Sequence, residues 1–292
     1  MTEASGFDAV VRRCFPGATL RSVEALTGGV SAQVHRLDLD LPGGESTSVV
    51  LRVHGDDPNA LAADGEFALL RAVCDAGVPV PRPIDGDAGG DLNGRPWVLM
   101  PFVDGATELP DADRAIEAMA DELASIHRMG REALPTLPDR CDPLPEAIEF
   151  LPEGDEWLAL RSWLAMQAGT AYDGPPALLH GDFWPGNLLW REGAIAAILD
   201  WEDAAVGDPL SDVAGACLEL RYDHGPTAAR HFQAAYAAHE PIDMRRLALW
   251  QVYVAAAAQR FMGRWGLQPD REANMRRVAL ESIREAASTL MS

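Results

Sequence analysis

His180-Gly181-Asp182-Phe183-Trp184-Pro185-Gly186-Asn187 is the stretch on which the reading of this chain turns, with Ile198-Leu199-Asp200-Trp201-Glu202 following shortly after it. An acid, an amide five residues on, and a second acid behind a short apolar run supply oxygen-bearing side chains in a set order. Such a set can orient a hydroxyl, accept its proton and hold Mg²⁺ on a nucleotide. Asp182 fits the role of the base. Asn187 offers a neutral metal ligand that does not compete for protons, and Asp200 an anionic one. Gly181 and Gly186 let the backbone turn sharply between them. Each residue alone has a plainer reading, as a turn cap or a solvated strand end; order, spacing and apolar flanks together favour the chemical one. His180 is expected to brace the loop through hydrogen bonds. Glu202 and Asp203 are expected to face either substrate or solvent.

Working outward, the segment up to about Val103 carries strand patterns. Val34 to Leu41 alternates, Ser48 to Val53 is β-branched and apolar, and Trp97 to Val103 is a further apolar run after Asn93-Gly94. Between them Gly65 to Asp75 has Phe67, Leu70 and Val73 at helical spacing, which predicts a small sheet with one helix. Beyond Gly105 the pattern becomes helical: Ile116, Met119, Leu123 and Ile126 recur every three or four residues, as do Leu280, Ile283, Ala287 and Leu290. Leu188 to Trp190 and Ala194 to Leu199 predict a hairpin beside the Asp182 loop. Asp104-Gly105 is the natural boundary, giving units 1–104 and 105–292 of an α+β chain.

The 292 residues carry a formal charge of -21, which disfavours nucleic acid and anionic membranes as partners and leaves small molecules. The charge is spread evenly: 15 acidic against 8 basic residues precede Gly105, and 30 against 16 follow. It therefore says nothing about the site. All 24 basic residues are arginine. Four isolated cysteines, Cys14, Cys74, Cys141 and Cys217, suggest neither a zinc clasp nor a disulfide framework. The first ten residues have acids where a signal peptide has bases, and the longest largely apolar stretch, Leu247 to Ala258, is too short to span a bilayer, so a cytoplasmic location is expected.

The pattern H-G-D-x-x-x-x-N followed by I-L-D-W-E resembles the aminoglycoside phosphotransferase and choline kinase superfamily, relatives of protein kinases. The resemblance implies a two-lobe protein-kinase-like fold: a small N-terminal antiparallel sheet with one helix, then a larger helical lobe with the catalytic loop. It implies Asp182 as catalytic base, Asn187 and Asp200 as Mg²⁺ ligands, and support from Gly207-Asp208-Pro209-Leu210-Ser211-Asp212. Ser31, in Thr27-Gly28-Gly29-Val30-Ser31-Ala32, falls in the turn whose N–H groups would approach phosphates. Family members place a lysine on the next strand; here Arg52 stands there, with Glu66 as its helix partner. Arginine keeps the charge but presents a longer planar fork. Met100, Pro101 and Val103 fall in the implied hinge beside the nucleotide base, where Pro101 can offer a carbonyl and Val103 an N–H.

The implied activity is transfer of a γ-phosphate from ATP, with GTP as an alternative donor, to a hydroxyl of a small molecule such as an aminoglycoside, amino alcohol or sugar. Two rivals stand beside it: a kinase-like module that binds nucleotide without turnover, and a metal-dependent hydrolase, for which the seven scattered histidines lack ligand spacing. Trp157, Trp163, Tyr222, Trp250 and Trp265 are expected to be mostly core, and one or two facing the site would suffice to receive a cationic or sugar ring. His127 is expected to be packed or capping. Oligomeric state is left open.

Overall fold

A computed structural model of the chain describes residues 3–26, 32–55, 61–92, 94–167 and 169–292. Ser31 and the rest of its turn, 27–31, lie outside them, so the expectation for that turn is not addressed. The first elements are α1 (Glu3–Cys14), β1 (Thr19–Leu26), β2 (Ala32–Asp40), β3 (Ser46–His54), α2 (Ala63–Asp75), β4 (Asp85–Leu92) and β5 (Arg95–Pro101). The strands form one antiparallel sheet in the order β1-β2-β3-β5-β4.

Strand alternation explains both faces of this sheet. Val49, Leu51 and Val53 of β3 and Trp97 and Leu99 of β5 pack with Phe7, Val10 and Val11 of α1. Their neighbours Val50, Val98 and Met100 face the other way and join a core with Leu69, Leu70 and Val73 of α2. Arg52 shares that second face by the same period, which brings it to Glu66. The sequence reading held one helix in this region; α1 is a second one, and it covers the first face. Its apolar residues Phe7, Val10 and Val11 are few among polar neighbours, which hides the stripe in a short segment.

The remaining elements are α3 (Ala112–His127), β6 (Asp139–Arg140), α4 (Glu146–Phe150), α5 (Leu158–Ala165), β7 (Ala177–Leu179), β8 (Leu188–Arg191), β9 (Ala194–Ile198), β10 (Ala205–Gly207), α6 (Leu210–Ala237), α7 (Met244–Phe261) and α8 (Pro269–Met291). The expected hairpin is β8–β9. β7, which leads into the Asp182 loop, pairs instead with β10, and β10 with β6. α6 is broken at Gly225-Pro226, where Gly225 has φ 79° and proline cannot continue the hydrogen-bond ladder.

One core runs from α2 and β5 through α3 to β7, β8, β9 and α6, so the sheet region and the helical region share buried contacts around the loop 180–187. A second core joins α4, α5, α7 and α8. Trp157, Trp250 and Tyr222 are buried in these cores, Trp163 is half-buried and Trp265 is exposed, in line with a mainly structural role for the aromatics. No helix among the described residues is long and apolar enough to cross a membrane. The four cysteines are free.

Candidate active site

The loop after β7 is held from beneath. Asp212, near the start of α6 and fully buried, accepts hydrogen bonds from the backbone N–H of His180 at 2.7 Å and of Gly181 at 3.0 Å. Its carboxylate also lies 3.3 Å from His127 Nε2, while His127 Nδ1 meets the Tyr236 hydroxyl at 2.7 Å. Burial works against the charge of Asp212, but the His127 hydrogen bond, with the Arg140 charge beyond it, outweighs burial and holds the carboxyl below its ordinary range. His127 is thus packed as expected, and it serves the loop through Asp212.

His180 is completely buried. Its Nδ1 accepts from the Asp182 N–H at 3.2 Å, so the proton must sit on Nε2, which donates to the Leu199 carbonyl at 2.9 Å. Burial lowers the pKa of the ring, consistent with this neutral form. One imidazole therefore ties the Asp182 loop to the segment carrying Asp200. Gly181 has φ 87°, and a Cβ there would lie 2.0 Å from the Asp203 carbonyl oxygen, so no larger residue fits.

Above these braces, Asn187 Nδ2 donates to the Asp182 carbonyl at 2.9 Å and to Asp182 Oδ2 at 2.8 Å, and Trp184 Nε1 donates to the same Oδ2 at 3.2 Å. With its amide nitrogen turned to Asp182, Asn187 directs Oδ1 elsewhere and keeps it available as a ligand. The Leu199 N–H donates to the Asn187 carbonyl at 2.8 Å, bringing Asp200 beside it. Asp182 reaches solvent, yet protein is dense around it; incomplete hydration first, then the charges of Asp203 and Asp200, push its carboxyl up to about 6. Asp200 has φ 61°, a left-handed conformation uncommon for a residue with a side chain and worth functional attention.

Arg52 completes the arrangement from the sheet. Its Nη1 donates to Asp200 Oδ1 at 3.1 Å, its Nη2 bonds Glu202, and its Nε lies 3.5 Å from Glu66 Oε1. Burial opposes the charge of Arg52, but the three carboxylates raise its pKa further. Glu202 thus directs its carboxylate to Arg52 and is half-withdrawn from solvent. Asp203 sends its backbone carbonyl toward Arg140 at 3.4 Å and its charge toward Asp182. Glu202 is the site residue that spacing alone did not assign; the signal was present in its position two residues after Asp200.

Arg52, Glu66, Asn187 and Asp200 line a cleft of about 400 Å³ together with Met100, Pro101 and Val103, and Asp182 adjoins it through its hydrogen bonds to Asn187. Val34, Val50, Leu189 and Ile198 add apolar walls. At the far end, Phe102 N–H donates to Ser48 and Ile84 N–H to Leu99, so alternation turns the Pro101 carbonyl away from β3, onto the side that Leu99 faces. Among the described residues the Val103 N–H has no backbone partner. A flat ring with one acceptor and one donor edge would suit that end.

A profile of the phosphotransferase enzyme family matches residues 22–250. The chain belongs to this family. Among its relatives is a homoserine kinase of Cupriavidus necator, 30% identical over 234 residues, covering 71% of this chain and 70% of that protein. Acyl-CoA dehydrogenase family member 10 of Mus musculus is 30% identical over 189 residues, 55% of this chain and 17% of that much longer protein. The structure of an aminoglycoside 2'-phosphotransferase-IIIa solved as its GDP complex superposes with a TM-score of 0.65 at 21% identity, covering 99% of each chain. The expected protein-kinase-like fold is thereby established, and the superfamily resemblance read from the Asp182 motif is borne out. This phosphotransferase-family chain carries its matched region across both the sheet and the Asp182 loop.

Proposed function

We propose that this chain transfers the γ-phosphate of ATP to a hydroxyl of a small molecule. The observation that carries the reading is the joining of Asp182 to Asn187 by two hydrogen bonds, with Asp200 and Arg52 at the same end of an apolar-walled cleft. The donor set suits Mg²⁺, which takes one or two protein oxygens and completes its shell with phosphate and water. Asn187 Oδ1 and Asp200 would hold it. When bound, the ion would neutralise charge on the phosphates.

Asp182 then orients the acceptor hydroxyl and takes its proton as the oxygen attacks the γ-phosphorus and the bond to the bridging oxygen breaks, releasing ADP. Arg52 binds phosphate oxygens through its fork, and Glu66 holds Arg52 toward the cleft. Pro101 and Val103 present their carbonyl and N–H to the edge of the base. GTP offers similar edges and is a second donor to be tested. The unit 1–104 serves as the nucleotide clamp and 105–292 as the platform for base and acceptor. A cytoplasmic location is in keeping with nucleotide use.

The acceptor class is an aminoglycoside, amino alcohol or sugar-like alcohol. The charges of Asp203 and Asp200 bear on Asp182, an acidic surrounding that suits an acceptor carrying amines. The test is ADP release across a panel of small alcohols, with Asp182→Asn as control. Activity unaffected by that substitution would remove Asp182 as the base. One observation favours a second reading, a nucleotide-binding module without turnover: Arg52 pairs directly with Asp200, the residue needed for metal. MgATP binding with no transfer to any alcohol would favour it.

A further inference from the structure

Arg52 meets three carboxylates, each near a different nitrogen. Glu66 Oε1 approaches Nε, Asp200 accepts from Nη1 and Glu202 from Nη2. Glu66 in turn lies 2.6 Å from His54 Nε2. The backbone repeats the link, because the Leu61 N–H, just ahead of α2, donates to the Glu202 carbonyl at 3.1 Å. Glu202 is therefore gripped at two points by the region that carries Arg52 and Glu66. All four side chains are largely withdrawn from water, with exposures of 10% for Arg52, 3% for Glu66, 27% for Asp200 and 19% for Glu202. Pairing there is worth more than at an open surface.

Lysine could not make this arrangement. Its ammonium is a single point, whereas the guanidinium is a rigid fork that can answer carboxylates in three directions at once. The complete absence of lysine from the chain offers a compositional account of Arg52, and the three-way pairing offers a structural one. The two accounts differ in what a lysine at position 52 would do. Each Nη carries two N–H groups, so bonds to Asp200 and Glu202 leave one on each free for a further acceptor.

We propose that Glu202 is a positioning residue, holding Arg52 by Nη2 so that the remaining N–H groups meet nucleotide phosphates while Asp200 is given up to the metal. This rests on the nucleotide reading above. Glu202 acts through Arg52 and not on the substrate.

Binding of MgADP is measured by calorimetry for the parent chain, Arg52→Lys, Glu202→Gln and the double variant, and each is melted without nucleotide. Glu202→Gln should weaken MgADP about ten-fold, the loss of one charge-assisted hydrogen bond. In the Arg52→Lys background the same change should add less than about two-fold, because the partner has gone. Melting should show the same non-additivity. Glu285→Gln, which breaks the remote Arg221 pair, serves as the control that shifts melting but not MgADP affinity. Equal weakening in both backgrounds, or none in either, would overturn the proposal. Should Arg52→Lys not fold, Glu202→Gln and Glu202→Asp in the parent chain carry the test, and unchanged MgADP affinity in both overturns it. A parent chain with coupled melting that binds no MgADP would instead sink the nucleotide reading and leave Arg52–Glu202 as a structural pair.

Discussion

Asn187 donates from Nδ2 to Asp182 twice, to its backbone carbonyl at 2.9 Å and to Oδ2 at 2.8 Å. The amide thus orients the carboxylate and turns its own oxygen away from Asp182. Asp182→Asn should lower kcat by about 10²–10⁴-fold, the usual contribution of a positioned base, with little change in nucleotide KM. A coupled ADP-release assay measures both. A large rise in nucleotide KM with kcat preserved would assign Asp182 to binding instead.

Acid should switch this chemistry off. Asp182 accepts a proton only when ionised, and its carboxyl is pushed up to about 6 by its surroundings. The kcat/KM of the free protein should therefore fall as pH drops, with the acid limb at or below about 6, since a bound cation would pull it lower. Removing the amide donor in Asn187→Ala takes away a hydrogen bond that favours the charged form, so the limb should move upward. A limb that stays put in this variant would show that another group controls it.

Glu219 should make stability depend on pH. Its carboxyl is pushed up to about 8, first by burial and then by the charges of Asp182 and Asp223. Between the ordinary glutamate value and about 8 the folded chain keeps a proton that the unfolded chain has lost. Stability consequently falls as pH rises through that window and levels off above it. Glu219→Gln removes the fall, so the variant should melt higher than the parent at pH 9 and the gap should close toward pH 5. Thermal melts in metal-free buffer check this, and a gap independent of pH would refute it.

Gly181→Ala should be damaging twice over. The residue has φ 87°, and the added carbon would meet the Asp203 carbonyl at 2.0 Å. Strain and displacement of the loop should cost more than about 2 kcal/mol and abolish turnover. A denaturant melt together with the activity assay measures both effects.

Asp212→Asn should loosen the same loop from beneath, since a neutral amide oxygen replaces a charged acceptor of the His180 and Gly181 N–H groups. Its carboxyl is held below the ordinary range, so the stability it contributes is present above the unfolded value and is lost as pH falls through the folded one. The expected cost at neutral pH is about 2 kcal/mol, typical of weakening buried hydrogen bonds to a charged acceptor. Equal stability of variant and parent at pH 7 would argue against this role.

Much of the fold was legible because its periods are local. The alternation of Val34 to Leu41 and Ser48 to Val53 returned as β2 and β3, and the helical spacing from Ile116 to Ile126 returned as α3. What escaped were elements whose signal is spread thin. α1 has a narrow apolar stripe, β1 is mostly exposed, and β4 is the glycine- and aspartate-rich run Asp85–Leu92 that strand propensity disfavours. β7 stands beside the Asp182 loop in sequence but bonds to β10, a partner no local pattern announces.

The sequence by itself determined the chemistry offered and its order: Asp182, Asn187 and Asp200, an arginine in β3, and the periods that form a sheet and a helical body. Those follow from residue type and short-range spacing, which backbone geometry reads directly. Only the tertiary structure decided the partners. That Asp212 carries the loop through two N–H groups, that one neutral imidazole links Asp182 to Leu199, and that Arg52 divides itself among Glu66, Asp200 and Glu202 depend on segments up to 150 residues apart meeting in space. Charge and hydrogen-bonding act over a few ångströms, and folding, not sequence order, determines which groups come that close.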